Sequence, residues 1–327
     1  NLILITDTAQ VFQGETAMFD RRSLIKSAAG SMAGAFLAPA FASSVLSPDD
    51  KLMPVDTRNG RSGWAKPVKQ VIQIKNCRIG EGTPKVIAST TAKTPESFLK
   101  LMKEYAEMPE LDAIEMRPDY IGELSGKEFA DLSREAYKLA GNKPVLMTFR
   151  DKTEGGGRHV TDDWYGQFYT EVLNNGAVDW IDIEQFRDIS VCREIVKLAK
   201  AKGKVAMFSD HEFKWTPSED EIIRRLLMQE KEGSDILKLA VMAHNTGDAL
   251  RLMSATWKVR NYYSNKPMLT MAMGRWGVLS RATGEFTGSD LTFAMVGGIP
   301  SAPGQIPYKD VKKVMDILHD AMYPKGA

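Results

Sequence analysis

Cysteine is nearly missing from this sequence: Cys77 and Cys192 are the only two, far apart and in no CxxC pattern. That excludes a disulfide scaffold and a thiolate zinc site, and leaves both as packing residues. Excess charge of either sign is missing as well. The 43 basic residues offset 42 acidic ones for a net charge of +1, so there is no electrostatic footprint for nucleic acid or an anionic membrane surface. Histidine is scarce, and His211 has no metal-ligand spacing with His159, His244 or His319, so no metal is expected. No self-similarity at a period of roughly 20–50 residues is found, and any repetition in the fold must be structural.

What is present suits one large core. The chain has 327 residues, 43% of them hydrophobic, and single α/β domains of roughly 250 residues are common. The first 17 residues carry no assignable pattern, and Met18 reads as the natural start. Residues 18–42, "MFDRRSLIKSAAGSMAGAFLAPAFA", run from paired Arg21 and Arg22 with Lys26, through an Ala/Gly-rich apolar stretch, to small residues spaced A-x-A at Ala40–Ala42. This is the order of an export signal, and "RRSLIK" resembles the twin-arginine class. The run is short and Gly-interrupted for a membrane span of about 20 residues. The expectation is a periplasmic protein that meets the membrane only transiently through its signal, or a cytoplasmic one if the signal is not used. Residues 43–66, rich in Ser, Pro, Asp and Gly, read as a linker.

From residue 67 to 327 short β-rich runs alternate with helical patterns. The strand candidates are "KVIAST" (85–90), "DAIEMR" (112–117), "PVLMTFR" (144–150), "DWIDIE" (179–184), "KVAMFS" (204–209), "DILKLAVM" (235–242), "PMLTMAM" (267–273) and "LTFAMV" (291–296). Eight strands alternating with helices predict a (β/α)8 TIM barrel. "TPESFLKLMKEYAEM" and "TPSEDEIIRRLLMQEKEG" open on Thr-Pro with early acids, as helix N-termini do. "VKQVIQIKNCRIGEG", ahead of the first strand, reads as an N-terminal β-hairpin closing the bottom of the barrel.

The polar residues fall at strand ends or just beyond, where such barrels build active sites: Ser89, Glu115, Arg117, Arg150, Asp182, Glu184, Ser209, His211, Lys238 and Arg281. Lys238 interrupts "DILKLAVM" where alternation points it into the barrel, and burial lowers an ammonium's pKa. The neutral amine attacks a ketone to give an imine that acts as an electron sink; a structural lysine paired with a carboxylate is the other reading. His211, one strand earlier, is placed to move a proton beside that imine, or else simply bonds Asp210 or Glu212. Arg117, Arg150 and Arg281 follow different strands, and their forks suit a small anionic, hydroxylated ligand; single structural salt bridges would leave the same trace. Glu154, in the flexible-looking "RDKTEGGGR", is suited to orienting the histidine. The glycine run lacks either phosphate-loop order. Ser301 and Gln305 sit in "SAPGQIP", a loop able to fold over a ligand, or an ordinary turn.

The stretches "EMRPD", "LMTFRDKTEGG", "DIE" followed by "VAMFSDHEF", "LKLAVM", "MAMGRWGVLSR" and "SAPGQI" together resemble type I 3-dehydroquinate dehydratase from about residue 71 onward. The resemblance implies a homodimeric barrel that dehydrates 3-dehydroquinate to 3-dehydroshikimate through a lysine imine, without metal or organic cofactor. It implies Lys238 as the imine lysine, His211 as acid and base, and Glu154 as the carboxylate that orients it. It also implies Glu115, Arg117 and Arg150 at the substrate hydroxyls, and Arg281, Ser301 and Gln305 around its carboxylate. Ser89, on the first barrel strand, is taken with them as a substrate contact. The family more often has Asn where this chain has Asp210, Asp where it has Glu212, and Pro-Gln where it has Ala243 and His244. "GRWG" also departs from the family's usual Ala-Lys. Export sets such an enzyme outside the cytoplasm, in quinate breakdown. Two other readings remain at this point: another imine-forming barrel of the class I aldolase or transaldolase type, and a noncatalytic barrel that holds quinate or shikimate.

Overall fold

The computed structural model describes residues 69–298 and 300–324; the segment 1–17, the expected signal 18–42 and the linker 43–66 lie outside the described residues. Strands β1 (Ile72–Ile74) and β2 (Cys77–Ile79) form the expected antiparallel hairpin. Eight parallel strands follow: β3 (Lys85–Thr90), β4 (Ala113–Met116), β5 (Val145–Thr148), β6 (Trp180–Glu184), β7 (Val205–Glu212), β8 (Ile236–Met242), β9 (Met268–Met273) and β10 (Leu291–Ala294). Their order in the sheet is β10-β3-β4-β5-β6-β7-β8-β9. Among the described residues no ladder joins β9 to β10. The ring closes there through Asp290 N–H on the Met268 carbonyl (2.6 Å) and Thr270 N–H on Ser289 Oγ (3.0 Å).

The helices α1 (Pro95–Ala106), α2 (Gly126–Ala140), α3 (Asp162–Asn175), α4 (Ile189–Ala201), α5 (Glu219–Lys231), α6 (Thr246–Lys258), α7 (Val278–Ala282), α8 (Gly284–Thr287) and α9 (Tyr308–Met322) are the connections and the C-terminal closure. Thr94 caps α1 with Pro95 at its first position, as expected. The cap of α5 is instead Ser218, because Thr216 spends its hydroxyl on the Met242 carbonyl (2.7 Å). Inside the barrel, Ile74, Cys77 and Ile79 of the hairpin join Ile87, Ala113, Trp180, Met207, Ile236 and Leu269 in one buried cluster that plugs the N-terminal mouth. Cys77 and Cys192 are buried free thiols, and burial pushes each up to about 12. Two further clusters fill the space between strands and helices.

One strand is longer than its apolar run. β7 continues past Ser209 to Glu212 because β8 offers partners all the way, with Ser209 opposite Lys238, His211 opposite Ala240 and Glu212 opposite Val241. Polar side chains do not end a parallel strand whose backbone is still paired. β10 is shorter than expected and stops at Ala294.

A fourfold device recurs at the N-terminal rim. An aspartate stands immediately before each of β4, β6, β8 and β10: Asp112, Asp179, Asp235 and Asp290. Each binds both backbone groups of one residue on the preceding strand. Their N–H groups donate to the carbonyls of Val86 (2.9 Å), Val145 (3.0 Å), Ala206 (2.7 Å) and Met268 (2.6 Å). Their carboxylates accept from the N–H groups of the same four residues at 2.8, 2.9, 3.0 and 2.9 Å. The strand starts are thereby locked pairwise, without a polar backbone group left over.

Candidate active site

Side chains alternate along a strand, so the register that sets Ser209 opposite Lys238 and His211 opposite Ala240 turns all four to the same face. That face is the barrel interior. The C-terminal mouth opens there as a pocket lined by Lys238, His211, Glu154, Arg150 and Arg117, the concave form that small-molecule sites take.

Lys238 is 3% exposed. Its Nζ donates to Asp182 Oδ2 at 2.6 Å and lies 4.9 Å from the centroid of the Phe293 ring. Burial lowers its pKa and Arg150 adds to that, against the pull of Asp182 and Glu115. Asp182 itself is fully buried and also accepts from Arg150 Nη2 (2.8 Å) and from Ser209 Oγ. Burial pushes its carboxyl up, but Arg150 and Lys238 overcome this and hold it at about 2. The lysine thus has a carboxylate partner and faces the pocket at once.

His211 holds neither Asp210 nor Glu212. Its Nδ1 meets Glu154 Oε2 at 2.9 Å, while Asp210 points away to Arg225 (2.9 Å). Burial, Arg150 and Lys238 pull the imidazole well below its usual range, so protonation is disfavoured. Burial and the carboxylates of Glu184, Asp210 and Asp182 push Glu154 upward against Arg150. In the base form of the pair Nδ1–H donates to the ionised Glu154, a tautomer assigned from this bond, and Nε2 is left as acceptor. The Glu154 loop is tied down rather than free. Gly155 sits at φ 82° with Phe213 so close that an added Cβ would lie 2.5 Å from Cζ, and a Cβ on Gly156 would run into the Arg150 carbonyl.

Nine of the ten residues expected in the site line the pocket: Ser89, Glu115, Arg117, Arg150, Glu154, His211, Lys238, Ser301 and Gln305. Arg117 does so with part of its fork occupied, since Nε and Nη2 both bind Asp119 at 2.8 Å. A relay joins the closing loop to the floor. Gln305 Nε2 donates to Ser301 Oγ (2.8 Å), Ser301 Oγ to Ser89 Oγ (3.2 Å), and Ser89 Oγ to Glu115, which also accepts from Thr148 Oγ1 (2.6 Å). Ser89 is therefore engaged by protein on both sides.

Arg281 is the exception. It lies behind the wall, 1% exposed, with Nη2 on the Pro303 carbonyl (2.8 Å) and Nη1 at 3.6 Å from Met271 Sδ. Among the described residues its Nε has no hydrogen-bond partner and no carboxylate stands near it, and burial lowers its pKa to about 10. A buried cation lacking an anion is what a ligand carboxylate next to the closing loop would satisfy.

Sequence reasoning named Asp182 and Ser209 as strand-end polar residues without giving either a role. Their period-2 placement on β6 and β7 held the missing signal. Phe213, Met271, Met273 and Phe293, the apolar part of the wall, look in sequence like any other core residues.

Comparison with known proteins agrees with this fold. The family model described as Type I 3-dehydroquinase matches residues 86–322. A 3-dehydroquinate dehydratase of Clostridioides difficile is 37% identical over 256 residues, 78% of this chain and all of the relative. The catabolic 3-dehydroquinate dehydratase of Acinetobacter baylyi is 40% identical over 248 residues, 76% of this chain and 90% of the relative. The crystal structure of a type I 3-dehydroquinate dehydratase from Clostridium difficile, carrying covalently modified comenic acid, superposes with a TM-score of 0.74 at 37% identity, over 77% of this chain and 99% of that one. The barrel that carries this pocket is thus shared with enzymes of one named chemistry, and this chain belongs to the type I 3-dehydroquinase family.

Proposed function

We propose that Lys238 forms the imine through which this chain dehydrates 3-dehydroquinate to 3-dehydroshikimate, with His211 as its proton carrier. Lys238 Nζ, freed of its proton, attacks the ketone carbon; loss of water gives an imine protonated beside Asp182. His211 Nε2 takes a proton from the adjacent carbon, and the electron pair moves toward the iminium nitrogen. The enamine returns that pair, the hydroxyl one carbon further leaves, and the proton on His211 goes out with it as water. A second water hydrolyses the imine and restores the amine. The ring carboxylate is held at Ser301 and Gln305 with Arg281 as the buried positive charge behind that loop, through its bond to the Pro303 carbonyl, and Glu115, Arg117 and Arg150 hold the hydroxyls.

The observation that carries this is the β7/β8 register, which sets the lysine and the histidine on one wall, two residues apart in height. The test adds 3-dehydroquinate to purified protein and follows the enone absorbance of the product. Lys238→Ala and His211→Ala each lose at least about a hundredfold in rate, and borohydride fixes substrate mass to wild type but not to the lysine variant. A lysine variant that keeps near wild-type rate rejects the mechanism.

The Arg21–Arg22 pair, the apolar run and Ala40–Ala42 support a periplasmic enzyme. The resemblance to a relative named catabolic supports a role in quinate breakdown rather than biosynthesis. Finding the mature protein only in cytosol would refute both. A homodimer is supported by exposed apolar side chains on neighbouring helices: Leu250 and Trp257 of α6, Leu279 of α7, Phe286 of α8, and Val314 and Ile317 of α9. Light scattering that reports a monomer would remove it.

A further inference from the structure

We infer that Asp151 and Arg187, neither of which lines the pocket, are positioning residues that hold Glu154 on His211. This rests on the reading of His211 and Glu154 as the acid/base pair.

Glu154 needs holding. Its carboxylate is 14% exposed, it is pushed up by burial and by Glu184, Asp210 and Asp182, and among the described residues Arg150, at 3.4 Å, is the one arginine or lysine paired with it. The cheapest relief would be to swing out. The loop could do so, because Lys152, Thr153, Gly155, Gly157 and His159 are all exposed, and exposed backbone with few apolar contacts opens first.

Asp151 opposes that from both ends of the loop. Its Oδ1 accepts from Thr153 N–H (2.8 Å) and Thr153 Oγ1 (2.8 Å) on the near limb and meets His159 Nδ1 (3.0 Å) on the far limb. Its Oδ2 accepts from Val160 N–H at 2.9 Å. Its carbonyl takes the N–H groups of Glu154 (3.0 Å) and Gly156 (2.9 Å). One 1%-exposed residue therefore clasps the span from Thr153 to Val160. The far limb is also held by Gly157 N–H on Asp119 (3.0 Å).

Arg187 fastens the clasp to the barrel. It donates to Asp151 Oδ2 (3.0 Å), Asp162 at the start of α3 (2.8 Å), the Val160 carbonyl (3.1 Å) and Glu184 Oε2 at the end of β6 (2.8 Å), and stacks 4.2 Å from the centre of the Tyr165 ring. Glu184 Oε1 in turn accepts from Asp151 N–H (2.8 Å) and from Arg150 Nη1 (3.2 Å). A continuous chain of charged contacts runs from Arg187 through Glu184 and Arg150 to Glu154, and stops at the imidazole.

The test uses Arg187→Met and Asp151→Asn, with Arg260→Met as a control. Arg260 is a nearly buried guanidinium on Asp290 at the opposite rim (3.0 Å). Two readouts are taken: kcat and KM with 3-dehydroquinate, and the imidazole ¹⁵N spectrum of His211 without substrate across a pH series. Groups that act on that imidazole are Glu154, Arg150, Lys238 and Arg117, and none is changed. Both variants are expected to lower kcat by about ten- to a hundredfold with KM kept, and to move His211 off the Nδ1–H tautomer that wild type shows. Arg260→Met lowers thermal stability and moves neither readout. The inference is overturned if kcat and the His211 spectrum stay as in wild type, or if they change no more than in Arg260→Met. If Arg187→Met does not fold, Asp151→Asn, of nearly equal volume, decides alone. A wild type without dehydratase activity would reject the enzyme reading, yet the substrate-free spectrum would still judge the clasp.

Discussion

The two rims of the barrel use the same residue types to opposite ends. At the bottom, Asp112, Asp179, Asp235 and Asp290 each satisfy both backbone groups of one residue, and Lys75, Lys200 and Arg260 stand beside three of them. At the top, Lys238, Arg150, Asp182, Glu184, Glu154 and His211 crowd one another, and among the described residues no carboxylate pairs with Arg281. Charge at the bottom is self-satisfied. Charge at the top is left partly unbalanced, and under the proposed function a ligand completes the balance. The difference teaches that buried polarity is read by what is still missing from it, which is why the C-terminal face carries chemistry and the N-terminal face carries stability.

The comparison breaks most visibly at Asp182. Asp182→Asn leaves Lys238 and Arg150 buried without their shared carboxylate, so stability falls by about 3–5 kcal/mol, read by urea unfolding, and dehydration falls with it. The pH dependence has a definite sign. A carboxyl held at about 2 in the fold and near 3.9 when unfolded stabilises the protein above pH of about 4, and that contribution is lost as pH falls toward 2. The variant should lose the acid-side slope in that window. A variant as stable as wild type would show that the top rim is balanced without it.

A smaller effect is expected from the bottom. Asp179→Ala strips the acceptor from Val145 N–H (2.9 Å), at about 1–3 kcal/mol for that donor left unsatisfied, while the half-buried Tyr137 hydroxyl, 2.6 Å from Asp179, can turn to water. Calorimetry should show a lower Tm. The kcat of the folded fraction should not move, and a fall in kcat would dissolve the distinction between the rims.

How much of this was legible depends on the kind of signal. Eight parallel strands were readable because short β-rich runs alternate with helical patterns, and the catalytic pair because a lysine and a histidine interrupt or end such runs. The length of β7 was not: "SDHE" carries no β signal, and the pairing that extends it belongs to β8. Arg281 was expected at the mouth because it follows a strand, but α7 turns it back behind Met271, a turn only tertiary packing sets. The aspartate device stood in plain view in "LDAIEM", "VDWIDIE", "SDILKLAVM" and "SDLTFAM". It escaped notice because an aspartate before a strand reads as a turn residue, and its backbone partner lies on the strand before.

The finest difference between the rims is in the field, and Asp210 can test it. It stands next to His211 in sequence but on the outer face of β7, paired with Arg225 at 2.9 Å, so Asp210→Asn alters charge without touching the pocket wall. Glu154 is pushed up first by burial and then by Glu184, Asp210 and Asp182. The base form of the pair needs Glu154 ionised, so kcat/KM rises as pH climbs through that raised value. Removing one of the carboxylates lowers the value, and Arg225, released from its partner, acts in the same direction. The acid limb of the kcat/KM profile should therefore move to lower pH, by less than about one unit because the charge is already partly neutralised. A limb that stays put or moves upward would mean that the surrounding carboxylates do not govern the pair. His211 would then owe its basicity to its bond with Glu154 alone, against the burial, Arg150 and Lys238 that lower it.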